Sequence, residues 1–576
     1  MNTKSIKHLI IAGSLCCGAA TALTSCSDLL DTDSELVEFQ EDNRLQSPTD
    51  SVYNVMGIVY KMQAIADRTV LLGELRGGLT TTTGAASKDL KAIADFSIDE
   101  QNAYNRISDY YAIINNCNYY LDHINTELVK NGRKVFEGEY AVVKAYRAWT
   151  YLQLAQIYGS VPLIVEPVLT EEASRKAMQQ QPMDITAICN YFIDDLKPYV
   201  DTKLPAPGQI DGMDSQKFFI PVRALLGDLC LWAGRYAEAA QYYHDFLALR
   251  TNPVPTTRNA TTWSQDAIKT REFRYEPVHG IKYDYTSGEV LAFIPMESNE
   301  FYGTKSNLIN IFNSTDLNFQ YAQVTPTVGL RQLSAAQDYC ATYTLVSGLP
   351  DTIYVTKEEL ARPELAGDLR FGTLYDYDVK VQERFSRVSK DIQKIKKFDA
   401  RGVTIYRIGM IYLRFAEALN RAGYPQSVFA VLKYGLSSEN INKYIDDDER
   451  QAAGTLLNFD SDLFTSENTI GIHSRGSGDA ECDNRYVLPM PADSLASRQD
   501  TINYQVPLVE DLIVNEMALE GVFEGYRFYD LMRVALRRGN PAYLADPVSR
   551  RDGDVDGQLR SLLLDTNNWY LPKTTL

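Results

Sequence analysis

Small and apolar residues between Ala224 and Tyr243 recur at the spacing of two antiparallel helices. Leu226-Gly227, Cys230, Tyr236, Ala239 and Tyr243 put small side chains where such helices cross, and Gly234 stands where the first should end. The pattern returns in degraded form from Ile411. There Tyr412, Phe415-Ala416, Leu419 and Gly423 mark a first helix, Pro425 opens a second, and Val428 and Leu432 continue it. Upstream, Val143, Tyr146, Ala148, Trp149, Leu152 and Ile157 give an apolar stripe over Glu139–Gly159, closed by Gly159 and Pro162. Near the end, Asp511 to Arg538 reads as one amphipathic helix.

The unit at Ala224–Tyr243 has the spacing of a tetratricopeptide repeat. The units are not tandem, so a plain superhelical solenoid is excluded. Thr251–Tyr339 and Tyr354–Arg407 are rich in Tyr, Asn, Gly and Thr, and Val290–Met296 reads as a short strand. The expected fold is therefore mostly α: tetratricopeptide-like helix pairs form a scaffold under a loop-rich second layer containing short strands. Scaffold is expected over 41–250 and 405–540 and loop-rich insertion over 251–404 and 441–510, all within one domain of 41–576.

The N-terminus changes the picture. Lys4 and Lys7 precede an apolar run from Leu9 to Ala22, shorter than the roughly 20 residues of a membrane-spanning helix. Leu23-Thr24-Ser25-Cys26 follows and resembles a bacterial lipobox. Residues 1–25 are thus expected to be a lipoprotein signal peptide, with Cys26 acylated and residues 26–40 an acidic tether. Stable attachment takes more than one acyl chain, which a bacterial lipoprotein cysteine carries. The run Ser27-Asp28-Leu29-Leu30-Asp31-Thr32-Asp33-Ser34-Glu35 is similar to the surface-export stretch of some Bacteroidetes lipoproteins. Net charge is −18, with no basic stripe to offset it, which argues against nucleic acid. Cys117, Cys189, Cys230, Cys340 and Cys482 form no Cys-x-x-Cys pair and read as small buried hydrophobes.

Catalytic signatures are missing. No His-Glu-x-x-His, Gly-x-Ser-x-Gly or phosphate-loop pattern occurs, so no catalytic residue is assigned and a non-enzymatic binder is expected. Glu516, Glu520 and Glu524 recur every fourth residue, and Arg527, Asp530 and Arg533 share the spacing, so acid–base ion pairs along one helix face are expected. Binding candidates come from the loop-rich middle: Trp263, Tyr283, Tyr285, Phe301 and Tyr302 as rings, with Arg76, Asn299 and Asn307 as polar partners in loops. Trp149 and Trp232 are expected in the core. Asp552-Gly553-Asp554-Val555-Asp556-Gly557 has the alternating carboxylates of half a calcium loop. Asp552, Asp554 and Asp556 are therefore candidate ligands of a structural calcium, although Leu563 stands where an EF-hand has its bidentate glutamate.

Five stretches occur in order: the lipobox at Cys26, Gly73-Glu74-Leu75-Arg76-Gly77-Gly78, the helix Glu139–Tyr151 with Tyr158-Gly159-Ser160-Val161-Pro162-Leu163, Gly471-Ile472-His473-Ser474-Arg475-Gly476, and Glu516–Arg533. Together they resemble the SusD/RagB family of nutrient-binding outer-membrane lipoproteins. The resemblance covers the mature chain. It implies four tetratricopeptide-like helix pairs under a variable face, docked as a lid on a SusC-like TonB-dependent barrel. It further implies a lipid-anchored, surface-facing location in the outer membrane and an oligosaccharide ligand. A RagB-like peptide ligand is the alternative. From other classes, a secreted hydrolase and a tetratricopeptide envelope scaffold remain as rivals.

Overall fold

A side chain at Gly227 has no room, because its Cβ would stand 2.5 Å from the Tyr243 ring. That contact closes the helix pair read from the sequence, Val222–Trp232 against Tyr236–Leu247, with Gly234 at φ +76° between them. In the computed structural model the described residues are 51–249, 283–296, 303–314, 321–344, 347–355, 367–370, 393–478, 484–493 and 497–573, together with the short strands at 262–263, 275–276, 375–376, 379–383 and 386–390.

The principal helices are α1 (Ser51–Glu74), α2 (Ile107–His123), α3 (Glu137–Tyr158), α4 (Ile185–Leu196), α5 (Val222–Trp232) and α6 (Tyr236–Leu247). They continue with α7 (Ile408–Arg421), α8 (Pro425–Phe429), α9 (Arg498–Glu520), α10 (Arg527–Arg538), α11 (Ala542–Ser549) and α12 (Gly557–Leu563). From α2 to α7 each helix packs on the next, and α7 packs on α9, so the long intervening chain between α6 and α7 is bridged without breaking the stack. From α9 to α12 the stacking again follows chain order. The expected fold class is what the structure shows.

Helix α3 departs from the expected stripe. It is buried all round from Ala141 to Leu152, because α2, α4 and α5 all pack against it. Lys144 and Arg147 are buried with it and both pair with Asp195 of α4. Helix α8 opens on Pro425 and continues as a π-helical turn over Ala430–Tyr434. Helix α9 begins at Arg498, inside a stretch expected to be loop.

The described strands form two-stranded pairs. β1 (Thr80–Thr82) pairs with β3 (Val324–Pro326), and β4 (Tyr339–Thr344) with β5 (Pro350–Val355). The buried pair β2 (Val290–Pro295) with β6 (Gly402–Arg407) runs antiparallel, and its register shifts between Thr404 and Tyr406. It delivers Arg407 to the scaffold at the start of α7.

The single helix expected over Asp511–Arg538 is two helices. Phe523 at φ +67° and Gly525 at φ +83° break it. The cause is α1: a Cβ on Gly73 would stand 1.7 Å from the Gly525 carbonyl oxygen, and one on Gly525 would stand 2.3 Å from that of Thr69. The two backbones touch, and neither segment can carry a side chain there. Glu74 follows at the contact, wholly buried. Its Oε2 accepts the Gly525 N–H at 3.0 Å, while Oε1 has no partner.

The carboxylates of this region do not pair along their own helix as expected, apart from Asp530 with Arg533. Glu520 Oε1 accepts from Arg407 Nη1 at 2.6 Å and Arg475 Nη1 at 2.9 Å, and its Oε2 from Arg370 Nη1 at 2.9 Å. Glu289 Oε1 bridges Arg407 and Arg475, each at 3.0 Å. Arg370 also pairs with Asp368 at 2.6 Å and Glu516 at 2.5 Å, and His473 Nδ1 lies 2.9 Å from Glu516. Lys397 and Arg407 both reach Glu524. Arg533 instead binds Glu417 of α7 and Asp530. Side chains close on the helix were outcompeted because the break after Glu520 turns α10 away and leaves α9's face to β6 and to the 368–370 and 473–475 segments.

Burial alone would raise the Glu520 carboxyl, but Arg407, Arg475, Arg370 and Lys397 hold it well below the usual carboxylate range. Removing one member of such a buried cluster strands its partners without solvent. Glu520→Ala is therefore expected to cost about 3–5 kcal/mol, read as a lowered denaturant midpoint at unchanged slope. A midpoint equal to that of the wild type refutes the structural role given to the cluster.

Glu74 behaves oppositely. Burial raises its carboxyl to about 7, against the Phe523 and Gly525 N–H groups and Lys397, with Glu524 adding to the rise. A folded value above the unfolded one near 4.5 means that the native state holds the proton longer. Its contribution is complete below the unfolded value and is lost as pH rises to 7, roughly 3 kcal/mol in all. Relative to Glu74→Gln, the wild type should lose stability between pH 5 and pH 8 in denaturant melts. Parallel pH profiles for the two proteins would show that the carboxyl is not protonated in the fold.

Candidate functional site

Tyr283 and Tyr285 arrive together on the turn that enters β2. The Asp284 carboxylate accepts the Thr286 and Ser287 N–H groups, at 2.9 and 3.1 Å, and so fixes the turn. Lys217 Nζ donates to the carbonyls of Tyr285 at 3.1 Å and Ser287 at 2.7 Å, tying the turn to the scaffold. The two rings then part company. Tyr283 is buried between the Lys397 ammonium, 4.7 Å from its centroid, and the Arg407 guanidinium at 5.3 Å. Tyr285 is half-buried and lies beside Arg401, whose guanidinium is 5.1 Å from the ring and whose Nη1 donates to the phenol at 3.0 Å. Of the pair, Tyr285 alone retains surface.

Arg76 does lie in the turn between α1 and β1, but it is buried there, which corrects its expected role as a ligand contact. It is 1% exposed. Nε donates to the Leu72 carbonyl at 2.7 Å, Nη1 to the Trp569 carbonyl at 2.7 Å and Nη2 to the Tyr529 hydroxyl at 3.2 Å. Its guanidinium sits 4.2 Å from the Phe528 ring centroid. Each of its three nitrogens donates within the protein, so its role here is to hold the chain near Trp569. Asn307 is exposed and precedes the short helix Leu308–Phe312; its N–H donates to Asp67 of α1 at 2.8 Å. It lies with neither tyrosine pair nor Arg76. Trp263 contributes backbone to a two-residue strand opposite Tyr275, and its side chain lies outside the described residues. Asn299, Phe301, Tyr302 and Cys26 also lie outside them. Trp149 is in the core as expected, whereas Trp232 is half-buried at an enclosed recess of about 40 Å³.

The cysteines need one correction. Cys117, Cys189 and Cys230 are buried free thiols, and burial pushes the Cys117 thiol up to about 12, which leaves it inert. Cys340 is disulfide-bonded, and Cys482 lies outside the described residues.

A cleft of about 610 Å³ opens where the C-terminal strap, residues 565–573, crosses the end of α3. No periodic signal marks this strap. It contains a single 3-10 turn, Thr566–Trp569, and its placement depends on residues hundreds of positions away. Trp569 is fully buried, with Nε1 donating to the Leu563 carbonyl at 2.8 Å. Leu571 N–H donates to the Ile157 carbonyl at 2.9 Å, and Asn105 Nδ2 to that of Pro572 at 3.0 Å. The Tyr570 ring rests on Gly159, where a Cβ would come within 3.3 Å of it. Phe96, Asp184, Asn567 and Asn568 also line the cleft.

Asp552, Asp554 and Asp556 are all exposed, and among the described residues no three His, Cys, Asp or Glu side chains are grouped to hold a metal. Asp556 serves the backbone instead. Its carboxylate accepts the Gln558 and Leu559 N–H groups and caps α12. Chelator should accordingly leave the thermal midpoint unchanged, and Asp556→Ala should lower stability by about 1 kcal/mol through lost capping. A midpoint that falls with chelator and recovers with calcium would show that the metal binds.

No family profile matches the chain, and no curated protein matches it in sequence. Solved structures do match its fold. A SusD superfamily protein from Bacteroides vulgatus is 14% identical over 92% of this chain and 99% of its own, with a TM-score of 0.53. Another from Bacteroides fragilis is 16% identical over 92% and 96%, also at 0.53. A SusD-like carbohydrate-binding protein from Bacteroides fragilis is 13% identical over 88% of each chain, at 0.52. The chain has the fold of the SusD superfamily.

Proposed function

We propose that this protein is a lipoprotein, anchored at Cys26 to the cell-surface face of the outer membrane, that binds an oligosaccharide nutrient without cleaving it. It passes the ligand to a SusC-like TonB-dependent barrel. The observation that carries this reading is a fold shared along nearly the whole chain with SusD superfamily structures, among them a carbohydrate-binding one. The basic, apolar and Leu23–Cys26 order of the N-terminus supports export and acylation. The disulfide at Cys340 supports an oxidising compartment. No described helix is long and apolar enough to cross a membrane.

The carboxylates of the buried charge cluster, Glu289, Glu516 and Glu520, are each held in ion pairs and drawn below their ordinary range. They have neither the exposure nor the raised proton affinity of a general acid. Two measurements test the proposal. Labelled palmitate should enter the wild type and not Cys26→Ser, which should leave the membrane fraction. The purified protein should retain members of an oligosaccharide array and release no shortened product. An unlabelled wild type, product formation, or retention of peptides alone would each overturn the corresponding part.

A further inference from the structure

The sites that the binding reading needs are unequal. The recess beside Trp232 is only about 40 Å³, with its carboxylates and guanidiniums already paired to one another. A second groove, of about 460 Å³ against α2, is lined largely by apolar groups such as Ile114, Ile164, Val168 and Leu169, which offer a hydroxyl-rich ligand little. The cleft at the C-terminal strap differs in size and chemistry, and its volume of about 610 Å³ falls within the ordinary range of ligand sites, roughly 300–1,000 Å³.

We propose that this cleft is an oligosaccharide-binding subsite in which the Tyr570 ring stacks on a sugar face while Asn567, Asn568 and Asp184 hydrogen-bond its hydroxyls. The inference rests on the oligosaccharide reading above and gives it a location. The amide groups are half committed: Asn567 Nδ2 donates to Asp565 Oδ1 and Asn568 Nδ2 to the Leu562 carbonyl, each at 2.9 Å. Those bonds orient both side chains at exposed positions and leave their amide oxygens for a hydroxyl donor. Asp184 Oδ1 caps α4 by accepting the Ala187 N–H at 2.8 Å, which leaves its second oxygen available. Hydroxyl groups need acceptors as well as an apolar face, and this lining supplies both.

Two further observations set the cleft apart from an incidental surface dip. The ring platform is held before any ligand arrives, with Tyr570 seated on Gly159 and its neighbours tied by Arg76 to Trp569, Ile157 to Leu571 and Asn105 to Pro572. Such preorganisation lowers the ordering cost of binding. Opposite it, Phe96 holds a left-handed backbone at φ +54°, a conformation that costs an aromatic residue energy and persists only where its surroundings impose it. Its ring is fixed 5.8 Å from that of Phe528. Strain of this kind collects at sites that grip something.

The test is calorimetric titration of the full-length lipoprotein in detergent with malto-, xylo-, manno- and fructo-oligosaccharides of four to eight units, followed by repeat titration of variants with any binder. Tyr570→Ala should weaken binding about ten-fold or more, equivalent to about 1.4 kcal/mol, and Tyr570→Phe should restore most of it. The double variant Asn567→Ala/Asn568→Ala, at exposed positions, should also weaken it while still melting cooperatively well above the titration temperature. A bound sugar indifferent to Tyr570→Ala and to the double variant overturns the subsite and leaves the binding reading standing. A wild type that binds none of the panel overturns both.

Discussion

Glu520 is fully buried and faces three guanidiniums that come from positions 370, 407 and 475, so its carboxylate is where four separated parts of the chain are made to agree. Five carboxylates (Glu289, Asp368, Glu516, Glu520, Glu524) meet four cations (Arg370, Lys397, Arg407, Arg475), with His473 against Glu516. Each of these groups would cost several kcal/mol to desolvate alone. A cluster of this kind has no acceptable half-formed state, since any missing member leaves a buried charge uncompensated. It therefore does for the 290–295 and 402–407 strands what apolar interdigitation does for the helices: it fixes which residues meet. The register shift near Thr404 and Tyr406 is tolerated because Arg407, one step on, is pinned from the other side.

The surface inherits this rigidity. Tyr283 is clamped by Lys397 and Arg407, which are themselves cluster members, so the turn carrying Tyr285 is anchored to the same charges. At the C-terminal end of α1, the Gly73–Gly525 contact forces the break between α9 and α10 and thereby sets Phe528 and Tyr529 around Arg76. Arg76 in turn holds the Trp569 carbonyl and with it the strap bearing Tyr570. A chain of contacts thus runs from the Gly-rich motif after α1 to the rim of the cleft. The motif's residues act through position and not by touching ligand.

What was legible in the sequence follows from range. Helix pairs announce themselves over about twenty residues, and Gly227, Gly234 and Pro425 stand where the local geometry demands them. The break at Phe523 was not legible, because Glu516 to Arg533 keeps helical spacing and the reason for the break lies far back along the chain, in α1. The same holds for the ion pairs. Four-residue spacing invited local partners, whereas Arg370, Arg407 and Arg475 are chosen by the tertiary fold. Arg76 does sit in a turn, but its neighbouring glycines signal close backbone approach, which is a reason to expect burial and not ligand contact. Tyr570 carried no pattern at all. Aromatic residues in the middle region drew attention by composition, while a single ring on a short C-terminal strap did not.

Charge bears on what such a surface recognises. The buried cluster brings together nearly equal numbers of acids and bases, so the net charge of −18 is carried mainly outside it. An exterior of that sign repels polyanions and lowers the local concentration of anionic ligands, most strongly at low salt. Affinity at an exposed cleft must then come from interactions indifferent to that field: ring stacking and hydrogen bonds from neutral amides. Tyr570, Asn567 and Asn568 provide these, and burial together with the Asp184 carboxylate raises the Tyr570 hydroxyl's proton affinity and keeps it a neutral donor. The ring and amides of the cleft, flanked by one acid and one base in Asp184 and Lys573, fit an uncharged, hydroxyl-rich chain better than a polyanion.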